Sequence, residues 1–212
     1  MQEPGWKRLV AEAFICSLAL MLFSYFIHSR FPLRIVSFAA LLPVAFIIGK
    51  STLNYPFWEI LFGHRISYHF LQNALAGLVL GVMISVFYRW YLGISLFPES
   101  IHLFALFAAF IGLTEEIVFR GFIQGYLQNI NGAYAIIFSA LSHTGYKSCL
   151  FISPAIANDV NVAFLAVWTF AIGIILGMIR HFSGNIVAPA SGHALFDILV
   201  YAEFAGAPWW VW

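Results

Sequence analysis

Three ionisable residues, Glu115, Glu116 and Arg120, interrupt an apolar stretch that runs from Leu103 to Phe122. Charged side chains at membrane depth are costly, and they are retained where they face a cavity, pair with each other or take part in chemistry. Glu116 and Arg120 are four residues apart and share one face of a helix, so they can form an ion pair. Glu115 points about 100° away on the same helix and therefore needs a partner from another helix.

Two later stretches supply histidines. His143 lies in the apolar segment SALSH, and the segment GHALFD places His193 and Asp197 four residues apart, on one face of a helix. A carboxylate beside a histidine can polarise a water molecule, and a histidine can donate a hydrogen bond to a developing oxyanion. These groups together can hydrolyse an amide bond without a covalent intermediate, and the sequence contains no GxSxG nucleophile motif.

Each of these groups also has a purely structural explanation when it is taken alone. A single intramembrane histidine such as His143 is often hydrogen-bonded to a neighbouring helix. His193 and Asp197 can bond within their own helix, and Glu116 with Arg120 can be an ion pair without a catalytic role. Six such groups on three spans nevertheless indicate one shared polar cavity, because the first three spans are nearly free of ionisable residues.

A metal site is the rival interpretation of the same residues. Glutamate and histidine are common zinc ligands, but the sequence has no HExxH motif, and the ligands would come from three helices. We therefore predict a site without a metal and without any other cofactor. The two isolated cysteines, Cys16 and Cys149, indicate neither a disulfide framework nor a thiolate metal site.

The composition is that of an integral membrane protein. Of the 212 residues, 62% are hydrophobic and 9% are charged, whereas a soluble domain has about 25% charged residues. The mean hydropathy is +0.91. From this composition we predict that the lipid bilayer is a partner. The net charge is +1 and no cluster of lysine and arginine is present, so we predict that nucleic acid is not a partner.

The apolar stretches predict an all-α fold, a polytopic membrane helix bundle of about seven transmembrane helices, with six to eight compatible with the pattern. Their predicted bounds are 9–27, 33–49, 70–92, 101–127, 133–146, 162–180 and 185–204. Residues 51–68 mix aromatic and charged side chains, which favours a segment at the headgroups rather than a crossing, and residues 147–161 are predicted to form a loop. Gly173 and Gly177 have the small-xxx-small spacing that permits close helix packing. Residues 208–212, PWWVW, are typical of an interfacial aromatic anchor.

Three motifs in this order resemble those of one protein family. EExxxR at 115–120, a histidine on the next helix at 143, and HxxxD at 193–197 are similar to the motifs of the CPBP family. That family comprises CAAX proteases and bacteriocin-processing enzymes and is also called Abi. The resemblance extends over about residues 100–200.

The resemblance divides the chain into two parts within a single membrane domain, 1–212. Residues 1–99 are N-terminal helices without a motif, and residues 100–204 are a CPBP-like catalytic core. It implies a glutamate-type intramembrane endopeptidase. The resemblance implies that Glu115 activates water with the assistance of His143, and that His193 with Asp197 forms the oxyanion site. It also implies that Glu116 and Arg120 support the cavity.

Two positions depart from the family's pattern. The family's second motif is usually FxxxH, and here Ser139 stands four residues before His143, with Phe138 one residue earlier. The last motif position is often asparagine, and here it is Asp197. An ionised aspartate cannot donate a hydrogen bond to an oxyanion. We therefore expect Asp197 to orient His193 by accepting a hydrogen bond from it.

The resemblance implies a membrane-protein or lipidated-peptide substrate, cut at a leader, a C-terminal sorting tail or a CAAX-like terminus. We rank the leader and the sorting tail first, because the chain is short, and we expect the inner membrane of a prokaryotic cell. A zinc-dependent form of the same protease stays open, as does a non-catalytic peptide-binding scaffold or immunity protein. A proton-coupled transporter would predict inverted repeats, and we find none in the sequence.

Overall fold

The structure is a computed structural model that describes residues 5–54, 57–63, 69–155 and 160–206. The described residues form helices joined by turns, with no strand among them. The helices in chain order are α1 (Trp6–Phe26), α2 (Arg34–Asn54), α3 (Phe57–Phe62), α4 (Phe70–Tyr91), α5 (Leu103–Glu116), a π-helix (Ile117–Gln124), α6 (Gly125–Gln128), α7 (Gly132–Ile152), α8 (Val162–Ser183) and α9 (Val187–Tyr201). The prediction of an all-α membrane helix bundle is confirmed.

Four of the described helices are long and apolar enough to cross a membrane: α1, the part Arg34–Ser51 of α2, α4 and α8, with mean hydropathies of 2.0, 1.6, 1.9 and 2.5. The other three predicted spans are helical but differ from these four. The α5 span continues through the charged π-helix, α7 carries His143 and Lys147, and α9 has 15 residues. The chain is an integral membrane protein.

Two predicted segments differ from the structure. The predicted loop 147–161 is wrong for its first part, because α7 continues to Ile152 and carries Lys147 one turn after His143. In the predicted headgroup-level segment 51–68, α2 extends to Asn54, and α3 is a six-residue helix, too short to cross a membrane. The remaining residues of these segments, 55–56, 64–68 and 156–159, lie outside the described residues, as does the predicted aromatic anchor at 208–212.

Glycines let α9 pack closely against α4. A Cβ atom on Gly77 would lie 2.2 Å from the carbonyl oxygen of Ala188, and one on Gly81 would lie 2.5 Å from that of Gly192. Real side chains do not tolerate such distances, so the two helices approach through bare backbone. This contact fixes α9, which carries His193, against α4 along its length.

Helix α7 lies between α1 and α8. On the α8 side, Cβ atoms on Gly173 and Gly177 would lie 3.1 Å from Ala140 Cβ and 3.0 Å from Ile136 Cγ2, so the predicted close packing of these glycines is confirmed. The α7 helix is therefore held tightly along the face that continues to His143.

The α1 side of α7 is joined by hydroxyl groups. The hydroxyls of Ser17 and Ser142 are 2.8 Å apart, and Ser24 Oγ donates to the carbonyl oxygen of Tyr146 at 2.7 Å. Both α7 residues are next to polar residues of the site, His143 and Lys147. Helix α1, which carries no motif, thus helps to set the position of α7.

The π-helix follows directly after Glu116. Its wider i→i+5 turns are rare and are frequent at functional sites. Its carbonyl oxygens receive side-chain donors from other helices: Ser139 Oγ donates to Phe119 at 2.7 Å, and Arg180 Nε donates to Arg120 at 2.7 Å. These contacts hold the π-helix against α7 and α8, and they fix the position of Arg120.

Candidate active site

Glu115 lies at the end of α5 and contacts α7. Its side chain is buried, with the whole residue 5% exposed. One carboxylate oxygen, Oε2, is 3.1 Å from His143 Nε2, and the other, Oε1, is 2.5 Å from Lys147 Nζ. His193 Nε2 is 3.9 Å from Oε2. The partners that Glu115 lacks on its own helix are therefore supplied by α7, with α9 close by.

Glu116 joins α5 to both the π-helix and α9. Its Oε1 atom accepts from Arg120 Nη1 at 2.9 Å and from His193 Nδ1 at 2.8 Å. Glu116 and Arg120 are both fully buried, so the ion pair expected from their spacing is present and is shielded from solvent. The second partner, His193, was not expected at this carboxylate.

His143 is held at both ring nitrogens. Its Nδ1 is 2.9 Å from Arg120 Nη1, and its Nε2 faces Glu115. A guanidinium has only donors, so Nδ1 accepts, and Nε2 carries the proton that it donates to the carboxylate. The ring also stacks on Phe119, with centroids 4.5 Å apart and planes at 24°. This fixes a neutral histidine in one tautomer and one orientation.

His193 is oriented by a different residue from the one that the sequence predicted. The expected hydrogen bond to Asp197 is not made, because Nε2 lies 3.7 Å from Asp197 Oδ2, beyond hydrogen-bond distance. Instead Nδ1 donates to Glu116, a fully buried carboxylate, at 2.8 Å. Asp197 packs against α5, where a Cβ on Gly112 would lie 2.3 Å from its Oδ2.

The six residues singled out from the sequence surround one end of a cavity. The cavity has a volume of about 630 Å³ and lies between α4, α7, α8 and α9. Its polar end is lined by Arg120, His143, Lys147, His193 and Asp197. The two glutamates stand directly behind these residues, in contact with both histidines. The structure thus brings the three motifs together around one space.

The rest of the cavity wall is largely apolar and aromatic. Between α4 and α8 the wall includes the rings of Tyr88 and Trp168, whose centroids are 5.7 Å apart. Phe151, Phe196 and Tyr201 add further aromatic surface. Such walls accommodate an apolar chain and leave polar chemistry to one end.

Two residues of the site escaped the sequence analysis. Lys147 belongs to no motif, and its charge at the end of an apolar stretch favoured a loop. Arg180 was interpreted as the end of a span, yet its side chain is buried and donates to the backbone of Arg120 and, at 2.9 Å, of Ile60. Ser139, the departure from FxxxH, has a definite contact here, since its hydroxyl donates to the π-helix.

The side chains of this cluster are not arranged as a metal-binding site. In the part of the chain that the structure describes, no group of three or more His, Cys, Asp or Glu side chains is placed to hold a metal ion. Every ring nitrogen of His143 and the Nδ1 of His193 already face a hydrogen-bond partner.

Comparison with known proteins gives one family. The family model described as type II CAAX prenyl endopeptidase, Rce1-like, matches residues 97–199. The matched region contains every residue of the cluster described above, from Glu115 to Asp197. No match was found among curated proteins or among solved structures.

Proposed function

We propose that this chain is a membrane protease similar to the type II CAAX prenyl endopeptidases, Rce1-like, whose family model matches residues 97–199, and that it uses Glu115 to activate the attacking water. The observation that carries the proposal is the grouping of Glu115 with His143 and His193 at the polar end of an apolar cavity. A carboxylate within reach of a cavity and fixed by a histidine is suited to general-base catalysis.

Glu115 keeps the capacity to accept a proton. Each carboxylate oxygen offers about two lone-pair sites. In this structure His143 lies at Oε2 as a hydrogen-bond partner, and Lys147 lies at Oε1 as an ion-pair partner. A water molecule entering from the cavity can therefore donate to the remaining site. Glu115 takes its proton while the water oxygen forms a bond to the scissile carbonyl carbon, and the carbonyl electron pair moves to oxygen.

His193 is the donor that we assign to the resulting oxyanion. Its Nδ1–H is engaged by Glu116, so the nitrogen that faces the cavity is Nε2. To donate, Nε2 must carry a proton as well, which makes the ring an imidazolium. The carboxylates of Asp197 and Glu115, at 3.7 and 3.9 Å from Nε2, stabilise that charge. When the C–N bond breaks, Glu115 returns its proton to the leaving amine.

Asp197 and the buried pair have supporting roles in this proposal. Asp197 lies beside Nε2 of His193 without a hydrogen bond, and its negative charge favours the protonated ring. Glu116 orients the same ring through Nδ1, and Arg120 connects Glu116 to His143 through one nitrogen, Nη1. One guanidinium thus fixes both histidines, one directly and one through Glu116.

The substrate class follows from the cavity walls. Aromatic and aliphatic side chains cover most of the cavity, which suits a lipidated peptide or an apolar segment beside the scissile bond. The family description names CAAX prenyl substrates, so a prenylated C-terminal peptide is the first probe to use. A leader or a C-terminal sorting tail is the second.

The experiment compares peptides and one variant of the purified protein in proteoliposomes. A farnesylated peptide with a CAAX terminus, the same peptide without the lipid, and a peptide with an apolar segment are each incubated with parent and Glu115→Gln. We expect the parent to cut the lipidated or the apolar peptide and Glu115→Gln to be inactive although folded. Activity of Glu115→Gln close to that of the parent would exclude Glu115 as the base.

A further inference from the structure

We infer that Lys147 is a positioning residue that holds the carboxylate of Glu115 for catalysis, an inference that rests on the function proposed above. Lys147 and His143 are one turn apart on α7 and hold different oxygens of Glu115, at 2.5 and 3.1 Å. Two donors from one rigid helix fix both the place of the carboxylate and its rotation. A single donor would leave that rotation free.

The charges of the buried groups support this assignment. Glu116 has Arg120 as its cation, at 2.9 Å. His143 is neutral, because its Nδ1 accepts from Arg120. The full positive charge nearest to Glu115 is therefore that of Lys147, at 2.5 Å, since Nε2 of His193 lies 3.9 Å away. Each buried glutamate of the pair then has its own basic partner, which is the condition under which a buried charge is tolerated.

Lys147 contacts both the cavity and Glu115. Its side chain is 25% exposed and lines the cavity, whereas Glu115 is buried and is not part of the lining. The ion pair at Oε1 orients the carboxylate and leaves lone pairs on its oxygens, so Glu115 keeps the capacity to accept a proton.

The position of Lys147 is set by α1, outside the region matched by the family model. Ser24 of α1 donates to the carbonyl oxygen of Tyr146, the neighbouring residue. A Cβ on Gly145 would lie 2.2 Å from Met21 Cε, so α1 and α7 are in close contact there. The α1 helix thus fixes the turn of α7 from which Lys147 reaches Glu115.

The test replaces the ammonium group and then restores it. Lys147→Met keeps the length of the side chain and removes the charge, and Lys147→Ala leaves space for a small amine. With the farnesylated peptide, we expect kcat of both variants to fall about 10²-fold, the effect of a misplaced catalytic group, with KM changed less than about twofold. Millimolar ethylamine should restore part of the kcat of Lys147→Ala and none of that of Glu115→Gln.

Lys50→Met is the matched control, since Lys50 pairs with Glu12 at 3.3 Å, far from the cavity. We expect its kcat to equal that of the parent. If Glu115→Gln is inactive while Lys147→Met cleaves like the parent, the inference about Lys147 is overturned and the proposed function stands. If Glu115→Gln is active, the proposed function itself fails.

A measurement that needs no substrate tests the contact between Lys147 and Glu115, on which the inference depends. Thermal unfolding is measured for Lys147→Met, Glu115→Gln and the double variant. We expect Lys147→Met to lower Tm by about 5–10 °C, because it leaves Glu115 buried without its cation. The double variant should lose clearly less than the sum of the two single losses. Additive losses would show that the two groups are not coupled and would overturn the inference.

Discussion

Replacing Glu116 by glutamine removes one charge from the most deeply buried ion pair of the site. Glu116 and Arg120 are both 0% exposed, and their atoms Oε1 and Nη1 are 2.9 Å apart. Glutamine keeps the shape and leaves an amide oxygen that can still accept from Arg120 and His193. The guanidinium, however, is left buried without a counterion.

The expected loss follows from the burial of both groups. Breaking a buried pair by removing one partner costs about 3–5 kcal/mol. Because the amide oxygen still accepts hydrogen bonds, we expect the lower end of that range for Glu116→Gln, about 3 kcal/mol. In a domain of this size each kcal/mol lowers Tm by about 2–4 °C, so Tm should fall by about 6–12 °C.

Thermal unfolding of the purified protein in detergent, followed by circular dichroism, measures this loss. The control is Glu99→Gln, the same chemical change at an exposed position, which should change stability by less than about 0.5 kcal/mol. If Glu116→Gln unfolds at the temperature of the parent, the assignment of a stabilising buried ion pair is refuted.

Three further predictions concern the chemistry. His193→Ala removes the proposed oxyanion donor and should lower kcat by about 10²–10³-fold. Asp197→Asn removes one charge that favours the protonated ring of His193, but it should retain substantial activity, because Glu115 and Glu116 still face that ring. Equal inactivity of Asp197→Asn and Asp197→Ala would make the negative charge of Asp197 essential. Elemental analysis of the purified protein should find no stoichiometric zinc, and a chelator should leave peptide cleavage unchanged. Activity that is lost to the chelator and restored by zinc would establish the zinc-dependent alternative.

The grouping of the site residues could be predicted because it depends on helical spacing and on the cost of buried charge. Residues four apart, such as Glu116 and Arg120, share a helix face whatever surrounds them. An unpaired Glu115 in an apolar span must find a partner on another helix. These constraints act locally or apply to every membrane protein, so they can be applied to the sequence without a structure.

The details that escaped prediction depend on contacts between distant residues. In the sequence, Lys147 is a lone charge that marks the end of an apolar span. Its partner, Glu115, lies 32 positions earlier in the chain and is identified only in the structure. His193 shares a helix face with Asp197, but its ring turns toward the buried Glu116 on another helix. The direction of a side chain within a face is set by what packs against it, and spacing does not contain that information.

The π-helix shows the same limit for the backbone. Nothing in the stretch IVFRGFIQ distinguishes it from an ordinary apolar helix apart from Arg120. Its carbonyl oxygens accept from Ser139 and Arg180, which lie on α7 and α8. The wider turns are thus stabilised from outside the segment, and they can be recognised only when the neighbouring helices are in place.

Whether Glu115 activates water or attacks the peptide itself is tested by a single turnover in water enriched in oxygen-18. The farnesylated peptide is cleaved by an excess of protein, and mass spectrometry measures the new peptide carboxylate and the protein fragment that contains Glu115. If Glu115 is a general base, one heavy oxygen enters the peptide carboxylate and none enters Glu115. Heavy oxygen in the Glu115 side chain, with the unlabelled oxygen transferred to the peptide, would show covalent attack by the glutamate and would contradict the proposed mechanism.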